Sequence, residues 1–259
     1  ILCTNYVLQK KYLLLFLIIV CSENIRAQVL KTTNEHVWIS YLGVHAVHPK
    51  LSVQVEFSLR RNEFLKNPQQ FLFRTGLVRE LGNGFSTAGG YCFALTYPYG
   101  AFASKSDFPE NRFWEQIQLR KKVKKLESVS RVRLEQRFVY SPILLNASYQ
   151  SGPAVYSTRI RIMERLSYPF FGNSIKDNSI YATVFDEIMY GFGSQIGRNH
   201  YDQNRTFVGV GYVMPKFGRI EVGYLHQHIL KSAGTKIENN KTIQISFFPV
   251  FSLIHQQGD

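Results

Sequence analysis

Helical periodicity is missing from this chain of 259 residues, and so is a second long apolar run. After Gln28 no stretch of about 18 apolar residues occurs, which excludes a transmembrane helix in that part. Cysteine is nearly absent. Of three cysteines, Cys3 and Cys21 belong to the leader and only Cys92 to the remainder, which excludes a disulfide framework and a thiolate metal set. Cys92 shares a row of small residues with Ala88, Gly90 and Ala94 and reads as a packed structural thiol. No Pro/Gly/Ser-rich linker divides the chain, so a single domain is expected. Acidic residues are few, 18 against 31 basic ones, giving a formal charge of +13. The arginines sit inside strand patterns rather than in a basic tail or helix, and no nucleic-acid module accompanies them, so nucleic acid is not an expected partner.

What the chain has is alternation. In Ser130 to Tyr140, Arg131, Arg133, Glu135 and Arg137 share one face, while Val132, Leu134, Phe138 and Tyr140 share the other, as a pleated strand requires. Tyr156 to Tyr168 repeats the spacing, with Arg159, Arg161 and Arg165 opposite Ile160, Ile162 and Leu166. An aromatic share of 14 % rules out a disordered chain.

Residues 10–27 read as a secretory signal. Lys10 and Lys11 supply the basic region, Tyr12 to Val20 the apolar stretch, and Ala27 a cleavage point. Ile25 is larger than the small residue usual at its position, and a lipidated Cys21 or a retained anchor is the alternative. The domain organisation expected is therefore a leader over 1–27 and a barrel over 28–259. The charge after cleavage is +11, since Lys10, Lys11 and Arg26 leave with Glu23.

Strands are expected near 34–47, 51–61, 70–80, 85–97, 111–124, 128–140, 154–168, 179–190, 204–214, 218–230 and 241–252. His48-Pro49-Lys50, Gly82-Asn83-Gly84, Lys124 to Glu127 and Pro215 to Gly218 are tight turns; 62–69, 98–110, 141–153, 191–203 and 231–240 are longer connections. A soluble sandwich also has one polar and one apolar face. The leader, the asymmetric connections and strands longer than those of soluble sheets favour an all-β, antiparallel up-and-down transmembrane barrel. Eleven strands are counted, whereas single-chain bacterial barrels have an even number, so about twelve (range 10–12) is the expectation.

On that reading Val53, Val55, Phe57, Leu59, Tyr91, Phe93, Leu95 and Tyr97 face lipid. The lumen collects Arg60, Arg74, Arg120, Arg131, Arg133, Arg137, Arg159, Arg161 and Arg165 with Gln116, and Glu56, Glu135, Asp186 and Glu221 are the acidic partners.

A set of short stretches now carries a resemblance: Phe113-Trp114-Glu115-Gln116, Arg133 to Phe138, Arg159-Ile160-Arg161, Phe185-Asp186-Glu187, Asp202-Gln203-Asn204-Arg205 with Gly209 to Tyr212, and Glu221 to Leu225. Together they resemble an uncharacterised family of Gram-negative outer-membrane β-barrel proteins, a domain of unknown function. The resemblance implies location and fold; it carries no catalytic residues.

The arginine rows have two readings. Paired with the carboxylates they fill and stiffen the lumen; left in excess they make a narrow anion-preferring pore or small-ligand site. A lipid hydrolase on the outer wall is a third reading, for which His226 and His228 share a face with Tyr224, but no Ser-His constellation accompanies them. As a metal site the two histidines lack further ligands. No catalytic residue, metal or cofactor is expected. The partners are outer-membrane lipid and small anionic solutes, the location is the bacterial outer membrane, and the oligomeric state is open. Asp202, Asn204 and Arg205 read as anchors of a long loop, and Gly209 and Gly211 as room for the arginines opposite.

Overall fold

The computed structural model describes residues 29–249, apart from 194, 195, 197–199, 232 and 233. The expected leader and residues 250–252 of the last expected strand lie outside the described residues. Thirteen strands follow one another: β1 (Leu30–His48), β2 (Leu51–Asn62), β3 (Asn67–Gly82), β4 (Phe85–Thr96), β5 (Phe108–Val123), β6 (Leu126–Val139), β7 (Pro142–Leu145), β8 (Ser148–Ser151), β9 (Val155–Pro169), β10 (Ile180–Phe192), β11 (Tyr201–Met214), β12 (Gly218–Lys231) and β13 (Lys236–Pro249). Eleven of them close into a barrel in chain order, and β7 with β8 forms a small separate hairpin. That hairpin lies in the connection expected to be a loop over 141–153.

From β1 round to β13 each strand pairs antiparallel with the next. An odd number of alternating strands leaves β1 and β13 running in the same direction where they meet, so the seam is parallel. Side chains across the seam keep that register: Asn34 Nδ2 donates to Asn240 Oδ1 at 2.8 Å, and seven residues further along both strands Tyr41 meets Phe247, their ring centroids 6.2 Å apart. The parity that called for a twelfth strand is met by this parallel closure instead.

Connections at the two rims differ less than expected. At one, the turn rim, residues 49–50, 83–84, 124–125 and 215–217 make short links. Asn83 and Gly84 both take positive φ, 52° and 81°, the two-residue turn whose twist matches a hairpin. A Cβ on Gly84 would lie 2.1 Å from the Arg120 carbonyl oxygen, so only glycine fits. The ten-residue link 170–179 also lies at this rim. At the other, the loop rim, 97–107 and the segment holding β7 and β8 are long, whereas the expected long loop 62–69 shrinks to a turn of residues 63–66.

The wall is apolar outside and polar inside because the strands alternate. Phe57, Leu59, Leu77, Phe113, Ile117, Val132, Ile162, Val184, Val208 and Val222 are exposed outward. Outward rings touch from strand to strand, as in Phe57–Phe73 at 5.0 Å, Tyr91–Phe113 at 5.8 Å and Phe138–Tyr156 at 5.3 Å. Inside there are two small apolar clusters, one of Leu72, Val78, Ala88, Cys92 and Trp114, the other of Trp38, Phe207 and Leu225. Gly211 makes room for the Tyr181 ring, not for an arginine, since a Cβ there would fall 2.2 Å from that ring; beside Gly209 lies Phe207.

Candidate lumen binding site

Strands β6, β9 and β10 are neighbours, and their inward rows carry most of the charge. Glu135 stands opposite Arg159, and Arg133 opposite Arg161. Glu135, with 0 % exposure, is the node. Its Oε2 accepts from Arg159 Nε and Nη2 at 2.9 and 2.6 Å, its Oε1 from Arg161 Nη1 at 2.8 Å, and Arg74 Nη2 lies 3.7 Å away. Arg161 also donates to Glu187, which in turn binds Arg131 at 2.7 Å. Arg74 pairs with Glu56, Arg112 and Arg137 share Glu110, and Arg165 Nη1 lies 2.8 Å from both oxygens of Glu221. Ionised groups this far from water persist only when paired and hydrogen-bonded, which these are.

Arg60, Arg205 and Arg133 have no carboxylate in their hydrogen-bonding shell among the described residues, and neither do Arg120 and Arg219 nearer the turn rim. Arg60 donates to Gln70 Oε1 at 2.7 Å and lies 3.9 Å from the Trp38 ring centre. Arg205 lies 5.1 Å from the same ring and contacts Gln203 Oε1 at 3.3 Å. Arg133 gives Nε and Nη2 to Gln116 Oε1 and rests 4.7 Å above Trp114. Indole faces and amide oxygens relieve a cation without cancelling its charge.

Two cavities occupy the lumen. The one at the loop rim, the vestibule, has about 670 Å³, and eight basic side chains but three carboxylates line it. The chamber at the turn rim has about 320 Å³. Trp38, Glu56, Arg60, Arg74, Arg161 and Arg205 line both, and so form the partition between them. The 97–107 connection folds into the vestibule. Tyr99 Oη donates to Glu238 at 3.2 Å, its ring meets His36 edge-on at 5.4 Å, and Lys231 Nζ lies 5.3 Å from it. Burial, and then the Glu238 carboxylate, raise the Tyr99 phenol above its usual pKa.

The structure brings together Arg60, Arg74, Arg131, Arg133, Arg137, Arg159, Arg161 and Arg165 with Glu56, Glu135 and Glu221; Arg120 also faces inward but stands exposed at the mouth of the chamber. Asp186 does not join them. Adjacent residues of a strand face opposite ways, and with Phe185 and Glu187 inward Asp186 points outward, where Asn204 Nδ2 and Thr206 Oγ1 donate to it at 2.8 and 2.6 Å. Glu187 is the acid the lumen uses. The loop-anchor set also divides. A bulge leaves Asp202 as the extra residue between the pairs Met189–Gln203 and Tyr190–Tyr201, and turns it in to Arg159 at 2.9 Å. Asn204 is on the outer wall, and Arg205 is against Trp38.

Sequence reasoning missed Glu110, Glu187, Glu238, Tyr181 and Trp38 as lumen groups. Glu110 and Arg112 continue the inward row of Trp114 and Gln116, so the signal was the alternation of β5 itself. His228 bonds Asn239, and among the described residues no group of three His, Cys, Asp or Glu could hold a metal.

Fold and interior define the class: a closed, all-β barrel of eleven strands with an ion-paired lumen. Within that class the chain belongs to a family of proteins of unknown function, DUF2490, whose model matches residues 35–238. No curated protein and no solved structure matches the chain.

Proposed function

We propose that this protein is a bacterial outer-membrane barrel that holds a small anionic ligand in its loop-rim vestibule. The observation that carries the reading is that, of the basic side chains lining the vestibule, Arg60 and Arg205 are set against Trp38 and given only amide partners, while the others are paired with carboxylates. A guanidinium whose counter-charge is absent is open to a carboxylate or phosphate from outside. The partition, with Arg74 and Arg161 tied to carboxylates, favours a binding site over an open anion pore.

The outer wall supports the membrane setting. Its apolar and aromatic side chains are the surface a barrel presents to lipid. Some of the polar groups that face outward bond to one another, Ser130 to Glu164 and Asp186 to Asn204 and Thr206, which lowers the cost of facing a medium without water.

The test is the chain from Gln28 to Asp259 refolded into planar bilayers under a salt gradient, with a parallel titration of small carboxylates and phosphates read through Trp38 emission. Saturable binding with little or no conductance supports the reading. Large anion-selective steps would replace it with the pore, and neither binding nor conductance would leave the arginine rows as structural filling.

A further inference from the structure

We infer that the turn-rim chamber is a second anion site, distinct from the vestibule, built on Arg133 and sized for a small tetrahedral oxyanion of the phosphate type. Arg133 lines this chamber and not the vestibule. It is 2 % exposed, yet its Nη1 finds no partner among the described residues. Its directly opposite neighbour is another cation, Arg161, whose own donors are taken by Glu135 and Glu187. On the same row Arg131 spends Nη2 on Glu187, while its Nε has no partner among the described residues.

A buried guanidinium serving structure alone is expected to resemble Arg161, with its charge met by carboxylates. Arg133 has none in hydrogen-bonding range, and an uncompensated buried charge with an unspent donor is unfavourable. An anion in the chamber would remove both costs at once. The planar fork, with Nε and Nη2 fixed by Gln116 and its face on Trp114, leaves Nη1 as its one unspent, buried nitrogen, which an oxyanion taken up in the chamber would have to reach past the side chains packed over it.

The rest of the chamber suits that ligand. Ser40 and Ser58 face it as a hydroxyl pair 2.8 Å apart, and Gln54, Gln118 and Gln244 add amide groups. Nine basic side chains line it against Glu56, Glu127 and Glu187. With about half the volume of the vestibule, it admits a hydrated phosphate more readily than an extended organic anion.

Each of the two tryptophans lies against a different set of guanidiniums, so the sites are separable. In the refolded chain carrying Trp38→Phe, Trp114 is the one remaining indole, and inorganic phosphate is titrated against its emission at constant ionic strength. The expected result is a saturable change that Arg133→Gln weakens at least tenfold, while Arg61→Gln, which removes the same charge at the exposed loop rim, leaves it unaltered. Should Arg133→Gln fail to refold, Arg133→Lys keeps the charge without the fork and is expected to bind more weakly; unchanged affinity there overturns the assignment. No saturable change, an equal response in Arg133→Gln, or an equal response to chloride also overturns it. Trp38 borders both cavities, so the vestibule is read through it in a Trp114→Phe background that also carries Arg133→Gln, and either site can fail alone.

Discussion

Arg161 joins two carboxylates from two neighbouring strands, with Nη1 2.8 Å from Glu135 Oε1 on β6 and Nη2 2.7 Å from Glu187 Oε2 on β10. Glu135 in turn holds Arg159, also on β9, so β6, β9 and β10 are tied through Arg161 and its two buried acids.

Removing the Glu135 charge takes one of two carboxylates from each of two buried guanidiniums, leaving Arg159 with Asp202 and Arg161 with Glu187. Glu135→Gln is expected to destabilise the barrel by about 3–5 kcal/mol, the cost of breaking a buried pair. Arg133→Gln, which breaks no ion pair and removes a buried charge that no carboxylate meets, is expected to leave stability in the absence of an anion unchanged or higher. Urea unfolding in detergent compares the two; equal losses would mean that Glu135 is not the node.

In the vestibule, Arg60→Gln and Arg205→Gln remove the two cations beside Trp38. A charge-assisted hydrogen bond contributes about 1.5–3 kcal/mol, so each is expected to weaken a bound anion by roughly 10- to 100-fold. Calorimetric titration with the anion that best alters Trp38 emission checks this, and an unchanged affinity in both variants would remove these residues from the site.

Val208 is exposed on the outer wall opposite Val184 and Tyr224. If that wall meets lipid, Val208→Arg should cost about 2–4 kcal/mol of folding free energy in bilayers when the position lies near the midplane. A soluble barrel would tolerate the change, surface substitutions being usually within about 0.5 kcal/mol. Refolding into lipid vesicles distinguishes the two.

The 97–107 connection gives a pH dependence. Burial and Glu238 hold the Tyr99 phenol above its usual pKa, so the docked loop favours the protonated form. The sign follows: its contribution is complete below the ordinary tyrosine value, about 10, and is lost as pH rises from there through the raised value. The ultraviolet titration difference between the parent chain and Tyr99→Phe should show one late-ionising tyrosine. A normal midpoint in that difference would mean the loop is not docked in the vestibule.

Much of the wall was legible in the residues. A period of two needs no tertiary information, and it placed the barrel strands to within a few residues and put Arg131, Arg133, Glu135, Arg159 and Arg161 on one side. It failed where alternation is broken or ambiguous. Asp186 and Glu187 are adjacent acids, and only the register shows which faces in. Asp202 owes its inward turn to a bulge, which has no residue signature here.

What the amino-acid sequence determined by itself is therefore the two-faced strand, because the facing of a side chain within a strand is a local property of the pleat. Closure was decided by the tertiary structure. An odd number of strands is compatible with a barrel once β1 and β13 meet in parallel, and this depends on residues such as Asn34 and Asn240, separated by most of the chain. The same holds for charge. Which arginines are neutralised and which are left open, Arg161 against Arg60, Arg133 and Arg205, depends on how four or five strands bring their inward ends together. A carboxylate's partner is set by distance in space, and a single strand carries no record of it.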